Sequence, residues 1–381
     1  MSSILLLSII LSYFIVLFLI SYFTGKNDSN ETFFRANRDS PWYIIAYGMI
    51  GTTLSGITFI SVPGWVASSQ FSYMQMVFGF FCGYFVIARI LLPLYYKLEL
   101  TSIYTYLRDR FGDSSYKTGS SFFLLSRTIG ASFRLFLIAT VLQFAVFDAW
   151  NIPFYITVVI TISLIWLYTY RSGMKTIIWT DALQTTFMLS TVIIIAYTLM
   201  QEMNLDFSSV FLLINESDYS KTFFFDDWTD KKYFFKQFFS GVFMAIVMTG
   251  LDQDQMQKNL SCKNLKDAQK NMTVFSTILI FVDLVFLSLG ALLYIYTDTF
   301  NIMPPQNADM LFPSVALNSG LPVYVGVLFI IGIIAAAYSS ADSALTSLTT
   351  SFCVDIIEFE KQDYKQQIKT RKLVHLLFSF I

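Results

Sequence analysis

The sequence predicts an all-α protein that crosses a lipid bilayer many times. Three observations lead there. Of the 381 residues, 55% are hydrophobic and only 13% charged; apolar stretches of about 20 residues recur along the chain; and Lys and Arg collect in alternate loops. No ordinary soluble domain has this composition.

Stretches able to cross a hydrocarbon core of roughly 30 Å run near residues 4–23, 42–67, 73–96, 119–147, 153–170, 177–200, 235–256, 272–297 and 322–353. They are numbered here as the first to ninth spans. A tenth begins near Leu373 and reaches only Ile381, about 13 Å of helix, so it reads as an incomplete span of a truncated chain. The first stretch lacks a basic start and a small-residue cleavage pattern, which marks a retained membrane helix and not a removed signal peptide.

Loops 24–41, 97–117, 171–176, 258–271 and 358–372 hold 18 Lys and Arg, whereas the alternate loops hold three, all within 201–234. The basic set is expected in the cytoplasm, which puts the N-terminus outside a plasma (inner) membrane. Loop 201–234, with Asp206, Glu216, Asp218, Asp226, Asp227 and Asp230, then reads as a solvated external surface. Residues 298–321, with Pro304, Pro305 and Pro313, form a second external segment able to act as a lid. Cys82, Cys262 and Cys353 have no pairing or metal spacing, and His375 is the one histidine. A Ser-His-Asp hydrolase and a His-ligated metal centre are excluded, as are a Walker-type nucleotide loop and a basic nucleic-acid surface.

Two spans carry the chemistry. In the ninth, eight of the thirteen residues Ser339–Ser351 are Ser or Thr, with Asp342 among them. Ser339, Asp342, Ser343 and Ser347 recur at helical spacing and give one face oxygen ligands suited to a hard cation. Small hydroxyl residues also let helices approach closely, but close packing does not require Asp342. In the second span, GTTLSGITFISVPG at Gly51–Gly64 is a poor recipe for a continuous helix. Unwinding at Gly51–Ser55 would free carbonyls for a cation and aim a half-helix dipole at a solute. In the seventh, Gly241 and Gly250 flank MAIVMT, a weaker sign of interruption.

Five separated motifs resemble the sodium/solute symporter family. They are LSGITFISVPG from Leu54, LPLYYKLELTSIYTYLRDRFG from Leu92, YTYRSGMKTIIWTDALQ from Tyr168, LDQDQMQKNLSCKNLKDA from Leu251, and LFPSVALNSGLP with AAAYSSADSAL between Leu311 and Leu345. The resemblance, which is close to the sugar and sialic acid branch, implies a leucine-transporter-like fold. One domain over 1–381 would hold inverted five-helix repeats: an extra N-terminal helix 1–23, a first repeat 42–200, and a second repeat 235–381 that is incomplete at its C-terminus.

The resemblance also implies sites. The first sodium would be held by carbonyls of Gly51, Leu54 and Ala336 and the hydroxyls of Ser339 and Ser340. A second sodium would use Asp181 with Ser339, Asp342 and Ser343, although the family usually has a hydroxyl where Asp342 stands. Asp181 has a structural alternative as the partner of Lys175 or as a backbone cap. The solute would meet Thr53, Ser55 and Thr58, with Tyr73 or Gln75 from the third span. Arg134 or Arg127 on the fourth span could pair a solute carboxylate, and Arg134 could instead pair with Asp283 or Asp181. The expected function is sodium-coupled symport of a small polar solute (a sugar, sialic acid or carboxylate) by alternating access, with Na+ and the bilayer as the other partners and no enzymatic step. The alternative is a transporter-like sensor, or a truncated membrane module that does not transport.

Overall fold

The computed structural model describes residues 3–25, 29–171 and 173–381. Met1 and Ser2 of the extra N-terminal helix, Lys26 of the first basic loop and Ser172 of the YTYRSGMK motif lie outside the described residues.

Helices occupy all nine expected spans. The first (Ser3–Thr24), third (Tyr73–Lys97), fourth (Asp113–Leu142), sixth (Met174–Glu202), eighth (Leu265–Thr299) and ninth (Val323–Ile356) are long and apolar enough to cross a membrane. The fifth, Phe154–Thr169, has 16 residues. The second and seventh are broken: Trp42–Thr53 and Gly56–Ser69 meet at 63°, and Phe234–Gly250 and Gln253–Leu260 at 68°. The tenth helix is Tyr364–Phe380, nine residues longer at its start than hydrophobicity alone indicated. Asp363 caps it through Gln366 N at 2.9 Å, and its first turns are good helix formers that happen to be polar. The eighth begins early for the same reason, with Asn264 capping Asp267 N at 2.9 Å.

Packing of the third on the seventh span is backbone against backbone. A Cβ on Gly79 would lie 2.0 Å from Phe238 O, and one on Gly241 would lie 2.1 Å from Met76 O. Small residues permit that approach where hydrocarbon supplies no hydrophobic drive. Gly241 therefore serves packing, and the interruption of the seventh span falls after Gly250 instead. The sixth span runs between the second and ninth: a Cβ on Gly48 would meet Asp181 Cβ at 2.9 Å, and one on Gly332 would meet Thr191 Cγ2 at 2.8 Å.

Segments 201–234 and 298–321, expected outside the membrane, are more built than their polarity suggested. Loop 201–234 is not merely solvated, because Gln75 reaches up to accept from Phe224 N (3.1 Å) and donate to Lys232 O (2.8 Å). Helix Leu311–Asn318 buries Leu311, Phe312, Val315 and Ala316. Its Phe312 ring lies 5.3 Å from Phe59 of the second span and 4.9 Å from Phe329 of the ninth. The backbone at Ala308 closes on Gly64. The segment thus covers the C-terminal half of the second span, as a lid would.

Candidate ion and solute sites

At the break of the second span, Leu54 (φ −81°, ψ 77°) and Ser55 (φ −60°, ψ 166°) leave the helical region. Ser55 N donates to Thr53 O at 3.1 Å and so abandons the regular ladder. The helix restarts with the Ser55 hydroxyl accepting from Thr58 N at 3.5 Å. The seventh span restarts in the same way, with Asp252 accepting from Gln255 N at 3.2 Å. Backbone of this kind is tolerated at membrane depth only where protein or a cavity surrounds it.

The ninth span faces the first of these breaks. Ser340 Oγ lies 3.5 Å from Thr52 O and 3.4 Å from Ala336 O, both long for a hydroxyl donor. Two carbonyls and a hydroxyl thus converge beside the terminal turn that carries Gly51 and Leu54. Neutral oxygens of this type suit a hard monovalent cation.

Ser339 looks the other way. It donates to Asp181 Oδ1 at 2.6 Å and lies 3.2 Å from Thr52 Oγ1. Asp181 Oδ2 is 2.6 Å from Lys258 Nζ, which also donates to Thr52 Oγ1 at 2.5 Å. Side chains of Lys258 and Asp181 are 2% and 1% exposed, so this ion pair is buried in the protein at membrane depth. The alternative partner Lys175 is corrected to Lys258. Neither Lys258 nor Thr52 had been singled out, since Lys258 counted as one of the basic residues of a cytoplasmic loop. The readable signal was the D-x-x-Q pattern at Asp252–Gln255 directly after Gly250, which starts a helix and carries Lys258 back inside.

The two carboxylates assigned to a second sodium have different partners. Asp342 Oδ2 accepts from Tyr168 Oη on the fifth span at 2.7 Å, and its Oδ1 from Ser343 N at 2.6 Å. The Ser343 hydroxyl is buried with no hydrogen-bond partner among the described residues.

Of the expected solute contacts, Ser55 is buried, and Thr53 and Thr58 are half-buried at the break. Gln75 is fully buried with its amide spent on loop 201–234, away from the break. The fourth span reaches the break through Leu137, whose Cδ2 would lie 3.4 Å from a Cβ on Gly56. Arg134 sits one turn further in, half-buried and in no ion pair among the described residues, so its expected pairing with Asp283 or Asp181 is not formed. Arg127, two turns further in, pairs with Asp252 at 3.8 Å and with the buried Asp254 at the restart of the seventh span.

Two broken spans five apart, a nest of neutral oxygens at one break and, one turn away, a guanidinium in no ion pair among the described residues define a secondary transporter of the inverted-repeat class. Solved structures agree in fold. A Na+-coupled sialic acid symporter in a substrate-bound outward-open state superposes with a TM-score of 0.86 at 22% identity, covering 98% of this chain and 80% of that one. Mhp1, a nucleobase-cation-symport-1 family transporter, superposes in a closed conformation with a TM-score of 0.61 at 16% identity, over 92% and 74% of the two chains. The sodium:solute symporter family model matches residues 33–380, and the chain belongs to that family. It is a multi-pass membrane protein whose function class is sodium-coupled symport of a small organic solute, not enzymatic catalysis. Among relatives, the sodium/sialic acid symporter NanT of Aliivibrio fischeri is 28% identical over 92% of this chain and 69% of its own length. SiaT of Proteus mirabilis, also a sodium/sialic acid symporter, is 24% identical over 93% and 71%.

Proposed function

We propose that this protein takes up an anionic, carboxylate-bearing solute, with sialic acid the first candidate, in symport with one sodium ion. The observation that carries the proposal is Arg134, a guanidinium one turn from the helix break that makes no ion pair among the described residues, with Asp252, already paired to Arg127, the carboxylate in its electrostatic reach. An unpaired guanidinium at membrane depth is costly and calls for an anion, and its planar fork suits a carboxylate. The two bacterial relatives carry sialic acid in their names, which is a carboxylated sugar, and human relatives are a sodium-coupled monocarboxylate transporter and a sodium/iodide cotransporter.

The sodium would sit between the carbonyls of Gly51, Leu54 and Ala336 and the hydroxyl of Ser340, with the Ser339 hydroxyl turning from Asp181 to complete the set. Thr53, Ser55 and Thr58 would supply hydroxyls to the solute. A single ion is favoured because Lys258 already matches the charge of Asp181, while Asp342 is held by Tyr168. With the N-terminus outside the plasma membrane and repeats over 42–200 and 235–381, sodium entering from outside would bridge the second and ninth spans. That bridge completes the solute pocket, and inward opening then releases both. One sodium and one singly charged anion together carry no net charge, so the membrane potential adds nothing to the cycle, and a tenfold sodium gradient supplies ~1.4 kcal/mol, about tenfold accumulation.

The test is uptake of labelled sialic acid into proteoliposomes. Accumulation above equilibrium under an inward sodium gradient, abolished by choline substitution and reduced at least tenfold in kcat/KM by Arg134→Gln, is the expected result. Saturable binding without accumulation would favour a sensor, and an unaffected Arg134→Gln protein would remove the anion from the reading.

A further inference from the structure

The anion reading leaves one buried carboxyl unused. Asp283 on the eighth span is 1% exposed, and its Oδ1 has no hydrogen-bond partner among the described residues. It caps no helix and enters no ion pair there, so it supports nothing in the fold. A carboxyl kept in that state at membrane depth is expensive and is the mark of a functional group.

Its depth follows from neighbouring contacts. Asn271 Nδ2 lies 3.4 Å from Met49 Sδ, and the Phe286 ring lies 5.9 Å from the Phe59 ring. Further out, a Cβ on Gly290 would meet Pro63 O at 2.4 Å, and Tyr294 Oη donates to Gly64 O at 2.7 Å. The second and eighth spans therefore run side by side in the same direction. Asp283, one turn before Phe286, stands level with Ser55, one turn before Phe59. On the fourth span, Arg134 stands one turn before Leu137, which meets Gly56. Arg134 and Asp283 thus each lie about one turn from a residue that packs against the second span at or just beyond its break. Tyr73 and Tyr84 of the third span are the titratable groups within electrostatic reach of Asp283.

We infer that Asp283 is a second solute contact, a fixed acceptor for the hydroxyl or ammonium groups of an organic acid whose carboxylate Arg134 holds. The inference rests on the anion reading above and narrows it. Hydroxylated or amino-bearing acids are selected, because their donors satisfy an acceptor that an aliphatic acid leaves buried and unpaired. Sialic acid fits this class, and propionate does not.

The experiment uses the full chain in proteoliposomes under a sodium gradient, with sialic acid and propionate as probes. Wild-type protein is expected to prefer sialic acid at least tenfold in kcat/KM. Asp283→Asn should raise the sialic acid KM at least tenfold, leave half-saturating sodium within twofold, and raise the unfolding temperature without solute, since a buried unpaired carboxyl is removed. A structural residue would do the opposite on the last count. A sialic acid KM within twofold of wild type in Asp283→Asn and Asp283→Ser overturns the inference. So does failure of both variants to fold, because a solute contact is dispensable for folding. Arg134→Gln separates the two readings: if it weakens uptake and Asp283→Asn does not, only this inference falls. If Arg134→Gln also leaves uptake intact, or wild type carries neither probe, the anion reading falls with it.

Discussion

Replacing Lys258 by Met removes the ammonium from a site that has no water to replace it. At 2.6 Å and an effective dielectric constant of about 20, the gross attraction to Asp181 is roughly 6 kcal/mol. Much of that offsets the cost of taking both charges out of water, but the variant keeps the cost for Asp181 and loses the return. Two hydroxyl donors remain, Ser339 at 2.6 Å and Thr52 at 3.2 Å, and they compensate only in part. The expected loss is about 3–5 kcal/mol, the range for breaking one side of a buried pair. With an unfolding entropy of about 2.1 cal/mol/K per residue, 381 residues convert this to a fall of roughly 4–6 °C in unfolding temperature. Thermal unfolding of detergent-purified protein at fixed sodium measures it. The double variant Lys258→Met with Asp181→Asn should recover about 2–3 kcal/mol, because it leaves no uncompensated charge. A loss under about 1 kcal/mol, or a double variant no more stable than the single, would refute the reasoning. The single variant also frees Asp181 for a cation, so the sodium Hill slope of any remaining uptake should rise above one.

Four further outcomes follow from the same geometry. Ser339→Ala with Ser340→Ala deletes the Ser340 oxygen beside the break and the Ser339 hydroxyl bound to Asp181 while keeping small side chains, and half-saturating sodium for uptake should rise at least tenfold, about 1.4 kcal/mol. Arg134→Lys keeps the charge but loses the fork, so its KM for a carboxylate solute should lie between those of wild type and Arg134→Gln in the same uptake assay. Gly241→Leu must push Met76 and the third span aside, and its yield of monodisperse protein should collapse on size-exclusion, whereas Cys82→Ala on the exposed face should not change it. Arg127→Gln strands Asp254 at 0% exposure, costing about 3–5 kcal/mol in thermal unfolding, and Asp254→Asn in the same background should restore most of it.

Some of this was readable in residue order because its cause is local. Span count needs only the length of apolar runs, and the break of the second span needs only Gly51, Gly56 and a capping hydroxyl three residues before Thr58. The start of the tenth helix was misplaced since hydropathy ignores a cap such as Asp363 when the first turns are charged. Gly241 was assigned to a helix interruption because a packing glycine and a breaking glycine look alike until the neighbouring span is seen.

The sites divide along the same line. Ser339, Ser340 and Asp342 were legible because hydroxyls and a carboxyl on one face of a membrane helix have no cheap alternative use. What each faces was not legible. Lys258 and Asp181 are 77 residues apart, and only the 68° turn after Gly250 brings the lysine back beside the sixth span. Asp342 meets Tyr168 across 174 residues, and Asp283 Oδ1 is left without a hydrogen-bond partner among the described residues where the second and eighth spans lie side by side. Sequence by itself determined that polar groups are buried here, since burial follows from hydrophobic context along the chain. Tertiary structure alone decided which of them are satisfied, because pairing depends on the crossing of helices whose contacts no local pattern encodes.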